Sequence, residues 1–154
     1  MLSEDHLKRL EALKQRYPHP QAVLLPALWM WQEEHGWISE EGMRYIAGLL
    51  GIDPHHVYGV ATFYTMFNKQ PVGRHKLELC TNVSCLLRGS DRILRHLEQR
   101  LGITVGQTTS DGRFTLAEAE CLGSCGTAPA MQVGDRYFES LDIARVDQIL
   151  DELT

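Results

Sequence analysis

The four cysteines of this chain form two close pairs, and this pattern limits the possible folds more than any other feature. Cys80 and Cys85 enclose four residues, Cys121 and Cys125 enclose three, and residues 86–120 separate the pairs. Both pairs lie among small and polar residues, in CTNVSC and ECLGSCGTAPAM. Cysteines that only fill a core are scattered more freely. The pattern therefore indicates a shared chemical purpose.

Length, composition and charge are those of a globular protein. The chain has 154 residues, of which 44% are hydrophobic and 23% are charged. This is enough for one domain, or for a small domain with a helical extension. The net charge of −5 lacks the clustered basic character of a nucleic-acid-binding surface. We therefore expect no nucleic-acid partner.

No stretch of the sequence predicts insertion into a membrane. No apolar run approaches the length of about 18 residues that a spanning helix needs, and MLSEDHLKRL at the start lacks the apolar core of a signal peptide. We expect a cytoplasmic protein. Thiols stay reduced in the cytoplasm, where paired cysteines are more often metal ligands or redox centres than structural disulfides.

Residues 1–67 predict a series of helices. Ser3, Ser39 and Asp53 precede three of them as caps, and the helix after Asp53 continues into VYGVATFYTMF. The second helix covers about residues 21–35. Pro26 lies inside this pattern, so the second helix either begins there or bends there.

A polar segment with proline and glycine follows the helices. This segment is NKQPVGRH, residues 68–75, and we place a domain boundary in it. The prediction is a helical domain over residues 1–70 and a second domain over residues 71–154.

The sequence of the second domain predicts alternating strands and helices. A strand that ends at Cys80 is predicted by HKLELC, and a helix capped by Ser90 or Asp91 by SDRILRHLEQRLG. A second strand, GRFTLAEAEC, ends at Cys121. It is followed by the hairpin AMQVGDRYFE with a Gly-Asp turn and by the helix LDIARVDQILDEL.

This order predicts an α+β fold, in which an N-terminal helical bundle precedes a β-α-β-β-α domain. The hairpin and the strand before it count here as one meander, and the helices pack on a small sheet. Both cysteine pairs begin at the end of a strand. Two neighbouring strands would therefore bring the pairs together.

The spacing of the cysteines leaves three kinds of site open. A structural zinc site can use four cysteines, although x2 spacing is more usual than the x4 and x3 seen here. A thioredoxin-type redox pair requires C-x-x-C, which is absent from the sequence, and buried structural cysteines fit paired loops poorly. A 2Fe–2S cluster needs two thiolates for each of its two irons, which two cysteine pairs supply.

Loop composition favours the iron–sulfur cluster among these three. The cluster carries negative charge and needs backbone N–H donors close to its sulfurs. Gly123 and Gly126 can adopt positive φ and are predicted to turn backbone amides toward the cluster. The spacing differs from the plant-type C-x4-C-x2-C pattern, so the site would belong to another class of ferredoxin.

Longer stretches of the chain resemble a known family. They are YGVATFYTMF, PVGRHKLELCTNVSCLLRGS, DGRFTLAEAECLGSCGTAPAMQV and YFESL. In content and order they resemble the thioredoxin-like 2Fe–2S ferredoxin subunit of the NADH dehydrogenase module of respiratory complex I, the NADH–quinone oxidoreductase. The resemblance runs from about residue 18 to the C-terminus. The cysteine pattern and ECLGSC are its most specific parts.

The resemblance implies an electron-carrying role. In that family a partner subunit binds FMN and NADH and oxidises NADH, while the small subunit holds one 2Fe–2S cluster near the flavin. The implied ligands are Cys80 and Cys85 on one iron and Cys121 and Cys125 on the other. A thioredoxin-like fold is implied for the second domain, where Pro129 occupies the place of a cis-proline.

The resemblance also implies partners and a location. The expected partners are the FMN- and NADH-binding flavoprotein subunit and the larger iron–sulfur subunit of the same module. The expected location is peripheral, on the cytoplasmic side of the bacterial inner membrane, without direct insertion. The chain contains neither G-x-G-x-x-G nor G-x-x-x-x-G-K-[ST]. We therefore expect an enzyme subunit without a complete active site of its own.

Other functions remain open from the sequence. The nearest alternative is the equivalent subunit of a soluble NAD-dependent hydrogenase or formate dehydrogenase, because those enzymes use similar modules. A freestanding 2Fe–2S ferredoxin or redox sensor is a second, although the helical extension speaks against it. A zinc-stabilised interaction module is a third, and it predicts a colourless protein.

Overall fold

The computed structural model describes residues 1–153, and the chain divides into two compact units. The first unit is Met1–Pro71, and the second begins at Val72. Each unit has its own cluster of buried apolar side chains. Within the described residues, no helix is both long enough and apolar enough to cross a membrane.

The first unit is helical. Its elements are α1 (Glu4–Lys14), a 3₁₀ helix (Pro20–Val23), α2 (Leu24–His35), α3 (Glu40–Leu50) and α4 (Pro54–Phe63). The predicted caps are confirmed, because the side chains of Ser3, Ser39 and Asp53 each accept a backbone N–H of the helix that follows. Pro26 lies in the first turn of α2, where a backbone N–H has no partner within the helix. The helix therefore begins near this proline and is not broken by it.

The predicted extent of the fourth helix is wrong. Helix α4 ends at Phe63, and Tyr64 has an extended backbone with φ −86° and ψ 118°. Leaving the helix here allows Phe67 to become buried in the core of the first unit, with its ring centroid 5.6 Å from that of Trp29. Burial of the apolar Phe67 ring therefore favours ending α4 at Phe63.

The second unit packs helices on a mixed four-stranded sheet. Its strands are β1 (His75–Cys80), β2 (Phe114–Ala119), β3 (Met131–Val133) and β4 (Arg136–Phe138), and its α-helices are α5 (Val83–Leu87), α6 (Ser90–Leu101) and α7 (Ile143–Glu152). The sheet order is β2-β1-β3-β4, with β1 and β2 parallel and the other pairs antiparallel. The predicted α+β fold, a helical bundle followed by a small sheet with helices, is confirmed.

Three local details of the second unit differ from the prediction. The short helix α5 was not predicted. Helix α6 has Gly89 as its N-cap, with φ 93°, and Ser90 is instead its buried first residue. Strand β2 ends at Ala119, before Cys121, because its partner β1 ends at Cys80 and leaves no further residues to pair with.

Helix α1 is joined to α2 through the carboxylate of Glu34. This carboxylate accepts hydrogen bonds from the backbone N–H of Ser3, at 2.9 and 3.1 Å, and lies 2.5 Å from Nδ1 of His6. Hydrogen bonds from Ser3, followed by the His6 ring, lower the pKa of Glu34 from 4.5 to about 2. The ionised carboxylate therefore stabilises the docking of α1.

We predict that Glu34→Gln loosens α1 in a pH-dependent way. At pH 7 the lost charge-assisted bonds should cost about 1 kcal/mol, which speeds hydrogen exchange of the α1 amides about fivefold. The folded-state pKa is lowered, so this stabilisation is present above pH 4.5 and is lost as the pH falls toward 2. Exchange rates of wild type and variant should therefore converge in acid.

The matched control is the adjacent carboxylate. Glu33 has a 53% exposed side chain and a single contact, 3.3 Å from Nε2 of His6. Glu33→Gln should change α1 exchange less than twofold. Equal effects of the two substitutions at pH 7, or a constant difference between Glu34→Gln and wild type down to pH 3, would contradict the assignment.

Candidate cluster-binding site

The parallel pairing of β1 and β2 sends both cysteine loops out of the same sheet edge. Cys80 is the last residue of β1 and is paired with Ala119, the last residue of β2. Cys85 lies in α5, Cys121 lies two residues beyond β2, and Cys125 begins a 3₁₀ helix, Cys125–Thr127. The prediction that neighbouring strands lead into the two pairs is confirmed.

Two hydrogen bonds connect the loops just beyond the strands. The backbone N–H of Thr81 donates to the Ala119 carbonyl at 3.2 Å, and the side-chain amide of Asn82 donates to the Glu120 carbonyl at 2.8 Å. The Asn82 side-chain oxygen also accepts the N–H of Val83 at the start of α5. Asn82 was not among the residues predicted to shape the site, although asparagine is a frequent helix cap and its place before Val83 was a signal for α5.

The four thiols form one neighbourhood with a buried and an exposed side. Cys80 and Cys85 are buried, while Cys121 and Cys125 are exposed. The Cys80 thiol lies within hydrogen-bonding reach of those of Cys85 and Cys121, and Cys125 is near enough to Cys85 to act on it electrostatically. The buried side is apolar, with Ala128 packed against Cys80 and Cys85 and Leu122 beside them.

Backbone N–H groups are directed at three of these sulfurs. Those of Asn82 and Leu122 face Cys80, and that of Ala130 faces Cys85. The N–H of Gly123 donates to the Sγ of Cys121 at 3.4 Å. Donors in these positions stabilise sulfur that carries negative charge, as it does in a metal-bound thiolate or in the cluster itself.

The pKa values of the two buried thiols move in opposite directions. Burial opposes ionisation of Cys80, but the N–H groups of Asn82 and Leu122 and the neighbouring thiols lower its pKa below the usual value. Burial, followed by the adjacent Cys80, raises the pKa of Cys85. A negative charge is therefore accommodated first at the end of β1.

The number of thiols per loop fits a binuclear cluster. A 2Fe–2S cluster needs two thiolates on each of two irons. Two loops with two cysteines each, bordered by backbone donors, meet this need.

The predicted cis peptide is present between Ala128 and Pro129. Around it, the Ala130 carbonyl accepts the N–H of Cys80 at 3.0 Å, and the Pro129 carbonyl accepts the N–H of Leu141 at 3.1 Å. The segment that follows Cys125 is thereby connected both to the end of β1 and to the chain beyond β4.

The two glycines predicted to serve the cluster differ in conformation. Gly123 has φ +72°, and its N–H donates to Cys121, as predicted. The prediction for Gly126 is wrong in its backbone angle, because this residue lies inside the right-handed 3₁₀ helix. No hydrogen bond from its N–H to a sulfur occurs in the described part of the chain.

We predict that Gly123→Ala impairs cluster binding and that Gly126→Ala does not. A Cβ at either position meets no atom within 4 Å, so the two substitutions are matched in space. The left-handed backbone at position 123 should cost an alanine about 1 kcal/mol and turn the amide away from Cys121. Iron and sulfide per chain should fall in Gly123→Ala only, and equal values in the two variants would refute the prediction.

A family model and individual relatives match nearly the whole chain. The model is that of the thioredoxin-like [2Fe-2S] ferredoxins, and it matches residues 10–154. A subunit of the NADH-quinone oxidoreductase of Rhizobium meliloti (strain 1021) is 49% identical over 144 residues, covering 94% of this chain and 86% of the relative. The mitochondrial NADH dehydrogenase [ubiquinone] flavoprotein 2 of Dictyostelium discoideum is 40% identical, covering 98% and 62%.

A solved structure shows the same fold within a larger chain. The air-oxidized NAD+-reducing [NiFe]-hydrogenase superposes with a TM-score of 0.74 at 25% identity over 84% of this chain. The match occupies 22% of that chain, and the Dictyostelium relative likewise extends well beyond its matched region. The convergent cysteine loops and these matches agree, and the chain therefore belongs to the thioredoxin-like [2Fe-2S] ferredoxin family and carries one 2Fe–2S cluster.

Proposed function

We propose that Cys80 and Cys85 bind one iron of the cluster and that Cys121 and Cys125 bind the other. The observation that carries this proposal is the convergence of the two loops at the edge where β1 and β2 end. The contacts of the Cys80 thiol with both Cys85 and Cys121 support it, as do the backbone donors around the sulfurs.

We further propose that the chain is the electron-transfer subunit of an NADH–quinone oxidoreductase. When bound, a 2Fe–2S cluster accepts and releases one electron at a time. Relatives at 49% and 40% identity carry NADH oxidoreductase names. We assign NADH oxidation to an FMN- and NADH-binding partner subunit, as the family resemblance of the sequence implies. The larger iron–sulfur subunit of the same module is the other proposed partner.

Exposed apolar side chains beside the cysteines support docking to such a partner. Val83, Leu86 and Leu87 of α5 are 65%, 51% and 82% exposed, and Cys121 and Cys125 are exposed as well. Exposed apolar side chains that cluster on a protein surface often mark a binding site for a partner. A partner that covers α5 would also bring its redox centre close to the cysteine loops.

We propose different roles for the two units. All four cysteines belong to the proposed cluster-binding domain over residues 71–154, and the proposed helical domain over residues 1–70 provides further surface for partner subunits. We place the protein on the cytoplasmic side of the inner membrane, where it is held by the rest of the complex.

The hydrogenase match supports one alternative, the equivalent subunit of an NAD-dependent hydrogenase. Co-purification from native cells with quinone-reductase or with hydrogenase activity distinguishes the two.

We predict that the anaerobically purified chain is brown and contains about two irons and two sulfides, with a one-electron EPR signal after reduction. Serine at any of the four cysteine positions should lower iron content or change the EPR g-values, because an alkoxide replaces a thiolate ligand. In Mössbauer spectra, serine at Cys80 or at Cys85 should change the signal of one iron. Serine at Cys121 or at Cys125 should change the signal of the other iron.

The control introduces a serine into the same loop without removing a thiol. Val83→Ser lies between Cys80 and Cys85 on an exposed position and should keep full cluster content and the wild-type spectrum. A colourless wild-type protein with one zinc would overturn the proposed function. A cysteine variant with an unchanged spectrum would remove that residue from the ligand set.

A further inference from the structure

Glu139 lies at the cysteine edge of the sheet although it is distant from the cysteines in sequence. Strand β3 starts with Met131 opposite Leu79, the residue before Cys80, and β4 returns with Phe138 opposite Met131. Glu139 follows β4 directly. The hairpin therefore returns this carboxylate to the edge at which β1 ends.

The Glu139 carboxylate accepts hydrogen bonds from both hydroxyl groups that flank Cys125. Its Oε1 accepts the hydroxyl of Thr127 at 2.6 Å and also that of Ser124. The two hydroxyl oxygens are 2.9 Å apart. One carboxylate oxygen thus holds the residue before Cys125 and the second residue after it.

The backbone fixes this carboxylate against the loop. The N–H of Ser140 donates to the Thr127 carbonyl at 2.7 Å, and the N–H of Leu141 donates to the Pro129 carbonyl at 3.1 Å. Ser140 has φ +49°, a left-handed conformation that is uncommon for residues other than glycine. The chain turns sharply after Glu139 and keeps its side chain beside the Cys125 loop.

Glu139 is ionised at neutral pH. The hydroxyl groups of Ser124 and Thr127 lower the pKa of its carboxyl group below the usual range. The loop that contains two of the proposed ligands therefore has a permanent negative charge at its edge.

A hydroxyl group that donates to a carboxylate cannot donate to a sulfur at the same time, because it has one proton. Hydrogen bonds to cluster sulfurs and the charge around a cluster set its reduction potential. Donors to sulfur stabilise the reduced, more negative state, and a nearby carboxylate disfavours it. Glu139 has a negative charge and holds two hydroxyl groups, and both properties lower the reduction potential.

We propose that Glu139 is a positioning residue of the Cys125 loop, which keeps the hydroxyl groups of Ser124 and Thr127 turned away from the cluster sulfurs and thereby keeps the midpoint potential low. This inference rests on the ligand set proposed above. It assigns a role to YFESL, a stretch that is separated from the cysteine loops in sequence.

The test compares two carboxylates of the same hairpin. Glu139→Gln keeps the size of the side chain, removes the charge and weakens its hold on the hydroxyl groups. Asp135→Asn makes the same charge change in the turn between β3 and β4, about four residues or ~13 Å along the strand from Glu139. EPR-monitored redox titration of the full chain should give a more positive midpoint in Glu139→Gln and a nearly unchanged one in Asp135→Asn.

A second background separates hydroxyl positioning from charge alone. Ser124→Ala with Thr127→Val removes both hydroxyl groups and leaves the carboxylate in place. The shift caused by Glu139→Gln should be smaller in this background than in the wild type, because no donor is left to release. Equal shifts in the two backgrounds, or equal shifts from Glu139→Gln and Asp135→Asn, would overturn the proposal.

A further variant decides the matter if Glu139→Gln does not retain its cluster. Glu139→Asp keeps the charge but is too short to reach both hydroxyl groups, so its midpoint should also be more positive than that of the wild type. A wild-type midpoint in Glu139→Asp, at full iron and sulfide content, would overturn the proposal. Failure of the ligand assignment is distinguishable, because the wild-type chain itself would then lack the 2Fe–2S signal.

Discussion

The parallel pairing of β1 with β2 is the constraint on which the site depends. Cys80 and Ala119 are the last paired residues of the two strands, so both cysteine loops leave the sheet at one edge. Parallel strands need a long crossover, and α5 and α6 lie in the connection between them. An antiparallel pairing of the same strands would send the two loops to opposite ends of the sheet, and no binuclear site could form.

The two loops contribute in different ways to the site. In the first loop both cysteines lie in regular secondary structure, Cys80 in β1 and Cys85 in α5, and both are buried. The second is a surface loop with two exposed cysteines, and its conformation depends on a left-handed glycine and on contacts from the segment after β4. With the ligand set proposed above, the buried half would retain the cofactor, and the exposed half would leave a short path for electrons to a docked partner.

The electrostatics of the site follow from the same division. Backbone N–H groups face three of the four sulfurs, and they favour negative charge on the loops without adding a charged side chain. The ionised Glu139 lies at the outer loop and acts in the opposite direction. Amide donors and one carboxylate together give the protein two independent means of adjusting how readily the cluster accepts an electron.

Local chemistry in the sequence was enough for much of this architecture. The caps at Ser3, Ser39 and Asp53, the helical periods and the strand leading into Cys80 are properties of neighbouring residues, and they predicted the fold class. The cysteine spacing and the loop composition favoured an iron–sulfur cluster among three kinds of site, and the family resemblance of longer stretches singled it out. The end of α4, the hydrogen bond from Asn82 to the Glu120 carbonyl, and the role of Glu139 were not predictable in this way. Each of them depends on strand register or on packing between residues far apart in the chain, and such contacts exist only after the sheet has formed.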